Sequence, residues 1–491
     1  MAVALSPSQT LTAVLAGHAA QRPQALAVHF EGRDLDFHSL REHSQAVAAL
    51  LWHGWGVRAG ERVAWLGHNH VEQLVLLFAL SRIGALLLPL NFRLAPAEWD
   101  TLVADCGPLH LVHDAALAQA AQALARRAGL AAHPVEELAA APEHVPAAPE
   151  DGQPQSPVLL VYTSGTTSRP KAAVHTQANL LANMAAAALV QGLTAQDTVL
   201  TVLPLFHVGG LCIQTLPALW VGARVLLHPR FDAAATLEAI ARHRPSLTLQ
   251  VPATMKALVE HPQWGSVDLT SLRAVWAGSS LLPPVLVEAF HARGLPVCNV
   301  YGATETGPFS IALPPAQAMR HAGSCGWPAP GVEVRLEAVQ DGAGELLLRA
   351  PSVVQRYWPD LPACDPEGWF HTGDLARQAA DGSYTVVGRS KDLIISGGEN
   401  IHPAEIESAL GAHPAVAECA AFGLADAEWG EVVAVAVVSR AGFAVDEGEL
   451  QAHLAGRLAR FKQPRRWVWL DALPKTALGK IQRGALADRF R

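Results

Sequence analysis

Apolar positions along this chain fall into two rhythms. In the first, Leu74–Leu90 is an apolar stretch interrupted by Arg82, and it reads as a buried helix passing into a strand rather than as a membrane span. The Ala-rich stretch Ala115–Ala132 reads as helix, and the Pro-containing segment 139–155 as a connector. After the connector, short β-type runs alternate with helical stretches. Thr198–Leu203 is strand-like, and Pro245–Val251 leads into a helix near Pro252–His261. Leu272–Ala277 predicts a strand, Pro283–Arg293 a helix, and Pro296–Val300 a strand again. Such alternation predicts a largely parallel sheet covered by helices, with ligands beyond the carboxyl ends of its strands. The loops at 163–171, 204–210, 278–280 and 301–306 all follow such strands and are placed to converge on one cleft.

Around Gly388 the rhythm changes. Leu393–Ile395 is a short strand, and Pro403 opens a helix with Ile406 and Leu410 on one face. Val416–Phe422 and Val432–Val438 are strands, and Glu447–Arg460 is a helix. This is a compact α+β unit of about 100 residues, the size of a small domain. The expected fold is α/β, with a large N-terminal domain over residues 1–388 and a small α+β domain over 389–491.

Composition narrows the function classes. Net charge is −8 with no long basic block, which argues against a nucleic-acid partner. The first residues, MAVALSPSQTLTAVL, lack the positive start of a secretory signal. Six cysteines are scattered without a C-x-x-C pair, which fits a reducing cytoplasm better than a zinc site or a disulfide framework. Twenty-two histidines form neither H-E-x-x-H nor a tight cluster.

The chemistry sits in the loops. "VYTSGTTSRPKAA", Val161 to Ala173, gathers hydroxyls, a glycine and Lys171 behind an apolar run. It does not match G-x-x-x-x-G-K-[ST], because Lys171 follows Pro170 and precedes Ala172. Read alone, it is either a Ser/Thr-rich surface turn or a cradle of N–H groups, hydroxyls and one ammonium around a polyphosphate. "NVYGATETG", Asn299–Gly307, puts Tyr301 and Glu305 on one loop, an aromatic face for a purine and a carboxylate suited to Mg²⁺. "WFHTGDLA" offers Asp374, whose two oxygens suit paired ribose hydroxyls. "GRSKDLIISGGENIHPAEIE" carries Arg389 and a Gly-Gly pair, and "PKTALGKIQR" presents Lys480 on a turn near the C-terminus. Singly, each reads equally as a structural turn or a solvated charge.

In this order and at these separations the set resembles the adenylate-forming superfamily of acyl-CoA synthetases, carrier-protein adenylation domains and beetle luciferases. The resemblance runs from Pro23 to Arg483. It implies that Thr163, Ser164, Gly165, Thr166, Thr167 and Lys171 hold the phosphates of ATP, that Thr304 contacts phosphate, and that Glu305 holds Mg²⁺. It implies adenine stacked on Tyr301, edged by Asn299, Gly302 and the Gly278–Ser279–Ser280 backbone, with Asp374 and Arg389 on the ribose. Lys480 then bridges the acid's carboxylate and the α-phosphate, Lys391 is the hinge of a mobile C-terminal domain, and Gly397, Gly398 and Trp429 line the path of coenzyme A. His207 stands at the mouth of an acid pocket shared with Val208, Gly209, Ala253, Ala277 and Gly302, with Trp276 and Phe206 as aromatic walls or core. The catalytic set is Lys480, Lys171, Thr166, His207 and Glu305.

The implied reaction is ATP-dependent activation of an aromatic or medium-chain carboxylic acid to acyl-AMP, then transfer to coenzyme A, in the cytoplasm, with homodimerisation left open. A carrier-protein acyl loader and a non-catalytic acyl-adenylate or nucleotide sensor are the alternatives. Ser168 and Ala172 stand where the family pattern has glycines, which predicts a stiffer loop if those positions need φ > 0.

Overall fold

A computed structural model of the chain describes residues 9–142, 146–163, 170–278, 282–340, 342–396, 399–426, 429–443, 445–455, 457–476 and 479–491, the side chains of Glu399 and Asn400 excepted. Two large sheets organise the N-terminal part. One runs, edge to edge, through Trp327–Pro328, Ile311–Ala312, Val297–Tyr301, Ala274–Gly278, Leu247–Gln250, Thr198–Thr201, Arg224–Leu227, Leu26–Phe30 and Arg33–Asp36. The six strands from Val297–Tyr301 to Leu26–Phe30 pair in parallel. The second sheet is parallel from Pro157–Thr163 through Leu86–Pro89, Arg62–Leu66 and His110–His113 to Ala131–Pro134. Its other side is antiparallel, adding Lys171–Thr176, Arg356–Tyr357 and Leu361–Pro362.

The apolar stretch at 74–90 explains how the sheets are joined. Helix Val71–Ile83 buries every residue except the half-buried Arg82 and ends at Gly84, in the left-handed region at φ 71°. A helix apolar all round can only lie between layers. Its side chains share one core with Val63 and Val158 of one sheet and Val199, Leu247 and Val275 of the other.

The C-terminal unit has its own sheet, Glu399–Ile401, Ile394–Ser396, Gly430–Ser439 and Val416–Asp426, with Arg466–Trp469 added in parallel to Gly430–Ser439. Ile394, Ile406, Leu410, Val433, Val435 and Leu450 form one core there, and Phe422, Leu473 and Leu486 another. The fold is therefore mixed α/β with a separate C-terminal α+β domain.

Several elements depart from the sequence expectation. Ala115–Ala132 is a 3₁₀ turn at Ala115–Leu117 and a helix at Ala118–Ala128, stopped by Gly129 at φ 69° ahead of strand Ala131–Pro134. The helix expected over Glu447–Arg460 spans Glu447–Leu454. Segment 163–171 follows a strand as expected, and the strand after it pairs back antiparallel, Thr163 facing Lys171. A four-stranded antiparallel sheet, Glu333–Gln340, Ala343–Arg349, Phe370–Gln378 and Tyr384–Arg389, went unread. Its first strand has no fully buried residue and so carries little alternation to read. The glycine argument fails at Ala172, which sits fully buried in the ladder opposite Tyr162. Among the described residues, the non-glycine positions with positive φ are Glu31, Arg244 and Ala338.

Candidate active site

Two sheets and the C-terminal domain contribute to one cleft. From the second sheet come Thr163 and Lys171, at the two ends of the hairpin connection. Ser164, Gly165, Thr166, Thr167 and Ser168 lie outside the described residues, as do Ser279, Ser280, Gly397 and Gly398.

From the first sheet comes strand Val297–Tyr301 and the turn after it. Gly302 is required: a Cβ there would lie 2.3 Å from the Pro308 carbonyl oxygen. Thr304–Thr306 is a single 3₁₀ turn closed by Gly307 at φ 79°. Its geometry is fixed from beneath, because Thr306 Oγ1 accepts from Ala303 N at 2.9 Å and Ser352 Oγ donates to Thr306 O at 2.9 Å. Val354 N donates to Glu305 O at 2.8 Å. Glu305 Oε1 accepts from the Tyr357 hydroxyl at 3.0 Å and from Thr163 Oγ1 at 3.4 Å. Among the described residues Oε2 has no hydrogen-bond partner. A carboxylate held by one oxygen with the other free, beside hydroxyls and a lysine, suits a hard cation shared with phosphates, so the residues fit Mg²⁺.

A second group assembles across the antiparallel sheet. Tyr301 OH donates to Asp374 Oδ2 at 2.7 Å, and Arg389 Nε lies 2.8 Å from Asp374 Oδ1. Asp374 and Arg389 face each other across paired strands. Burial first, then the neighbouring Asp374 charge, holds the Tyr301 hydroxyl well above its ordinary range, so it stays a donor. Asn299 donates to the Ser324 carbonyl at 3.3 Å one row away.

His207 caps the short helix Val208–Gly210, and its Nδ1 accepts the Gly209 N–H at 3.0 Å. That bond leaves the ring proton of the neutral form on Nε2. Burial, followed by the Lys480 charge, lowers its pKa to about 4, so the ring is neutral at pH 7. Phe206 packs edge-on against Phe92, centroids 5.3 Å apart. Val208, Gly209 and Ala277 are buried, whereas Ala253 is exposed near the start of helix Pro252–Val259. Trp276 belongs to the core: it is fully buried against Phe309, and as Ala277's neighbour in a strand it points to the opposite face. Gly278 leaves no room for a Cβ, which would meet the Val300 carbonyl at 2.6 Å.

Lys480 arrives from the C-terminal domain on a turn whose strand-like ends, Lys475 and Ile481, bridge each other. Gly479 takes φ 81°, and Lys480 N donates to Thr476 Oγ1 at 3.2 Å. Solvent still reaches the Lys480 side chain in the open crevice, yet the crevice walls strip enough water to lower its pKa. Arg389 lowers it further, Asp374 and Glu305 oppose, and Lys391 adds a smaller lowering. Its ammonium is therefore within electrostatic reach of His207, Glu305, Asp374, Arg389 and Lys391 together. Lys391 sits in a 3₁₀ turn, Ser390–Asp392, between the strand carrying Arg389 and the first C-terminal strand. Trp429 stands apart, exposed under the Arg465 guanidinium at 4.3 Å.

Two contributors escaped the sequence reading. Tyr357 touches both Glu305 and Lys171, whose Nζ lies 5.2 Å from the ring centroid. Buried Asn69 accepts from Leu205 N at 2.8 Å and donates to the Leu203 and His228 carbonyls at 3.0 Å, pinning the loop that ends in His207. Neither lies in a patterned motif.

The comparisons agree with this layout. The model of the AMP-binding enzyme family matches residues 15–358, and that of the AMP-binding enzyme C-terminal domain matches 405–480. An indoleacetate–CoA ligase of Aromatoleum aromaticum is 44% identical, covering 95% of each chain. A feruloyl-CoA synthase of an Amycolatopsis species is 40% identical over 95% of this chain and 96% of its own. The structure of o-succinylbenzoate coenzyme A synthetase from Bacillus subtilis, in complex with ATP and magnesium ion, superposes with a TM-score of 0.86 at 31% identity, covering 98% of this chain and 99% of that one. With both parts matched in order along one chain and the cleft formed between them, this protein belongs to the AMP-binding enzyme family.

Proposed function

We propose that the protein is an AMP-forming acid–CoA ligase acting on an aromatic monocarboxylic acid. The observation that carries the reading is Lys480, carried on a turn of the C-terminal domain within electrostatic reach of His207, Glu305 and Asp374. A cation there faces the place where an acid's carboxylate and a nucleotide's α-phosphate must approach each other. The aromatic preference is supported by the indoleacetate and feruloyl relatives.

In the first half-reaction a carboxylate oxygen attacks the α-phosphorus of ATP, pyrophosphate leaves, and a mixed anhydride with AMP remains. In the second, the thiolate of coenzyme A attacks the carbonyl carbon and AMP departs. The protein's part is positioning and charge neutralisation. Lys171, Thr163 and Thr304, with Ser164, Gly165, Thr166 and Thr167, cradle the phosphates. Tyr301 offers its ring to adenine beside Asn299, Gly302 and the backbone of Gly278, Ser279 and Ser280. Asp374, steadied by Arg389, accepts from the ribose. Glu305 would hold Mg²⁺, which supplies neutralising charge at the phosphates. Neutral His207 presents Nε2–H at the acid pocket of Val208, Gly209, Ala253, Ala277 and Gly302.

Gly397, Gly398 and Trp429 would line the thiol path after the C-terminal unit, 389–491, rotates against 1–388 about Lys391. The cytoplasm is the compartment that six free cysteines favour. Acid-dependent exchange of pyrophosphate into ATP, run with indoleacetate, ferulate, hexanoate and octanoate, tests the reading. Exchange led by an aryl acid is expected. No exchange with any acid would overturn the enzyme, and a lead by octanoate would overturn the aromatic preference.

A further inference from the structure

Tyr357 lies outside every motif of the sequence, yet it touches both charged groups on the phosphate side of the cleft. Its short strand pairs with the hairpin, Tyr357 opposite Ala173, and Trp358 N donates to Ala172 O at 2.8 Å. Three residues earlier, Val354 N donates to Glu305 O at 2.8 Å. Segment 354–358 thus staples the hairpin of one sheet to the Glu305 turn of the other through backbone alone. The Tyr357 ring packs with Ala173 and Val354 in a small apolar cluster, which fixes its direction. From that seat its hydroxyl donates to Glu305 Oε1 at 3.0 Å, and its ring centroid lies 5.2 Å from Lys171 Nζ.

We propose that Tyr357 is a positioning residue for the metal–nucleotide complex: its hydroxyl turns Glu305 Oε2 toward the cation, and its ring face holds the Lys171 ammonium at the phosphates. This rests on the ATP-dependent reading above. A carboxylate on a loop rotates freely about its last bonds unless one oxygen is engaged, and Oε1 is the oxygen engaged here. Loss of a group that orients a ligating carboxylate costs about 10–100-fold in metal affinity. The ring acts separately, because an ammonium over an aromatic face is attracted by the ring quadrupole whether or not a hydroxyl is present. Tyrosine supplies both functions, phenylalanine the second alone, and leucine neither.

That difference sets the experiment. Mn²⁺ is titrated into the full-length protein with a non-hydrolysable α,β-methylene ATP, following free Mn²⁺ by electron paramagnetic resonance. Binding of the metal-free analogue is measured beside it. Tyr357→Phe should raise the Mn²⁺ Kd by about tenfold or more and leave metal-free analogue binding unchanged. Tyr357→Leu should raise the Mn²⁺ Kd as much and also weaken the metal-free analogue. An unchanged Mn²⁺ Kd in Tyr357→Phe, beside wild type that binds normally, overturns the hydroxyl's role. Equal metal-free affinity in the two variants overturns the ring's role. Wild type that binds no Mn²⁺–nucleotide at all overturns the ATP-dependent reading and this inference with it. Near-ultraviolet circular dichroism checks the fold, and where Tyr357→Leu does not fold, Tyr357→Phe decides the hydroxyl and Tyr357→Met, which fills the seat without an aromatic face, decides the ring.

Discussion

Lys171 and Lys480 are both cations at the same cleft, yet the molecule holds them in opposite ways. Lys171 opens a strand, is paired across the ladder with Thr163, and lies over the Tyr357 ring. Lys480 rides on a turn of another domain, with solvent reaching its side chain and its charge disfavoured by desolvation and by Arg389. The first is part of the floor. The second is delivered. On the proposed function, a site built this way would keep its nucleotide contacts while one charge is withdrawn, so that two half-reactions could share one cleft.

The sharpest way to break this contrast is Lys480→Ala. Acid-dependent pyrophosphate exchange should fall by about 10²–10³, while thioester formation from supplied acyl-AMP is largely spared. Equal losses in both assays would show that Lys480 is as fixed in its role as Lys171. Next in size is Lys391→Pro. A 3₁₀ turn already has φ near proline's value, so the ring should hold the orientation seen here, at the cost of crowding Ser390. A bias of about 2.7 kcal/mol is a hundredfold. CoA thioester output should drop by about that factor with pyrophosphate exchange retained. Normal thioester turnover in the folded variant would place the pivot elsewhere.

A third test probes the floor alone. His175 lies four residues after Lys171 on the same strand, fully buried, with neither ring nitrogen in hydrogen-bond geometry to any of the described residues. Burial lowers its pKa from 6.5 to about 4, the nearby Thr304 backbone opposing. Between those values the unfolded chain takes up a proton that the folded chain refuses. Its contribution is therefore whole above about pH 6.5 and is lost as pH falls toward 4, by up to about 1.4 kcal/mol per pH unit. His175→Leu should flatten the acid limb of stability, measured by urea unfolding at pH 7.5 and pH 5. An identical slope would mean that another group sets it. The smallest effect belongs to Ser168→Gly, expected within about 0.5 kcal/mol of wild type, roughly twofold in rate. A large fall in kcat would mean that the Ser168 hydroxyl contacts phosphate.

The same contrast explains what was legible in the sequence. Thr163, Lys171, Tyr301, Glu305, Asp374, Arg389 and Lys480 announce themselves because charge, hydroxyl and glycine cluster locally on loops. The parallel strands were legible for a related reason, since strands buried on both faces read as short apolar runs. Tyr357 was not, because its meaning depends on a pairing with Ala173 far along the chain. Asn69 was not either, since an asparagine between histidines looks like any surface turn until its amide is seen on three backbone groups. The antiparallel sheet that carries Asp374 was not legible for want of a buried face on its first strand.

Asn69 has one more consequence. It lies just ahead of helix Val71–Ile83, which is sealed between the two large sheets. Through its amide the loop carrying Phe206 and His207 is moored to the start of that buried helix. The residues proposed for one wall of the acid pocket are thereby tied to that frame. On the proposed reading, a change of acid would come from exchanging side chains on this frame rather than from moving it. Each exchange then changes the shape of the cavity locally, leaving the nucleotide half of the site as it was.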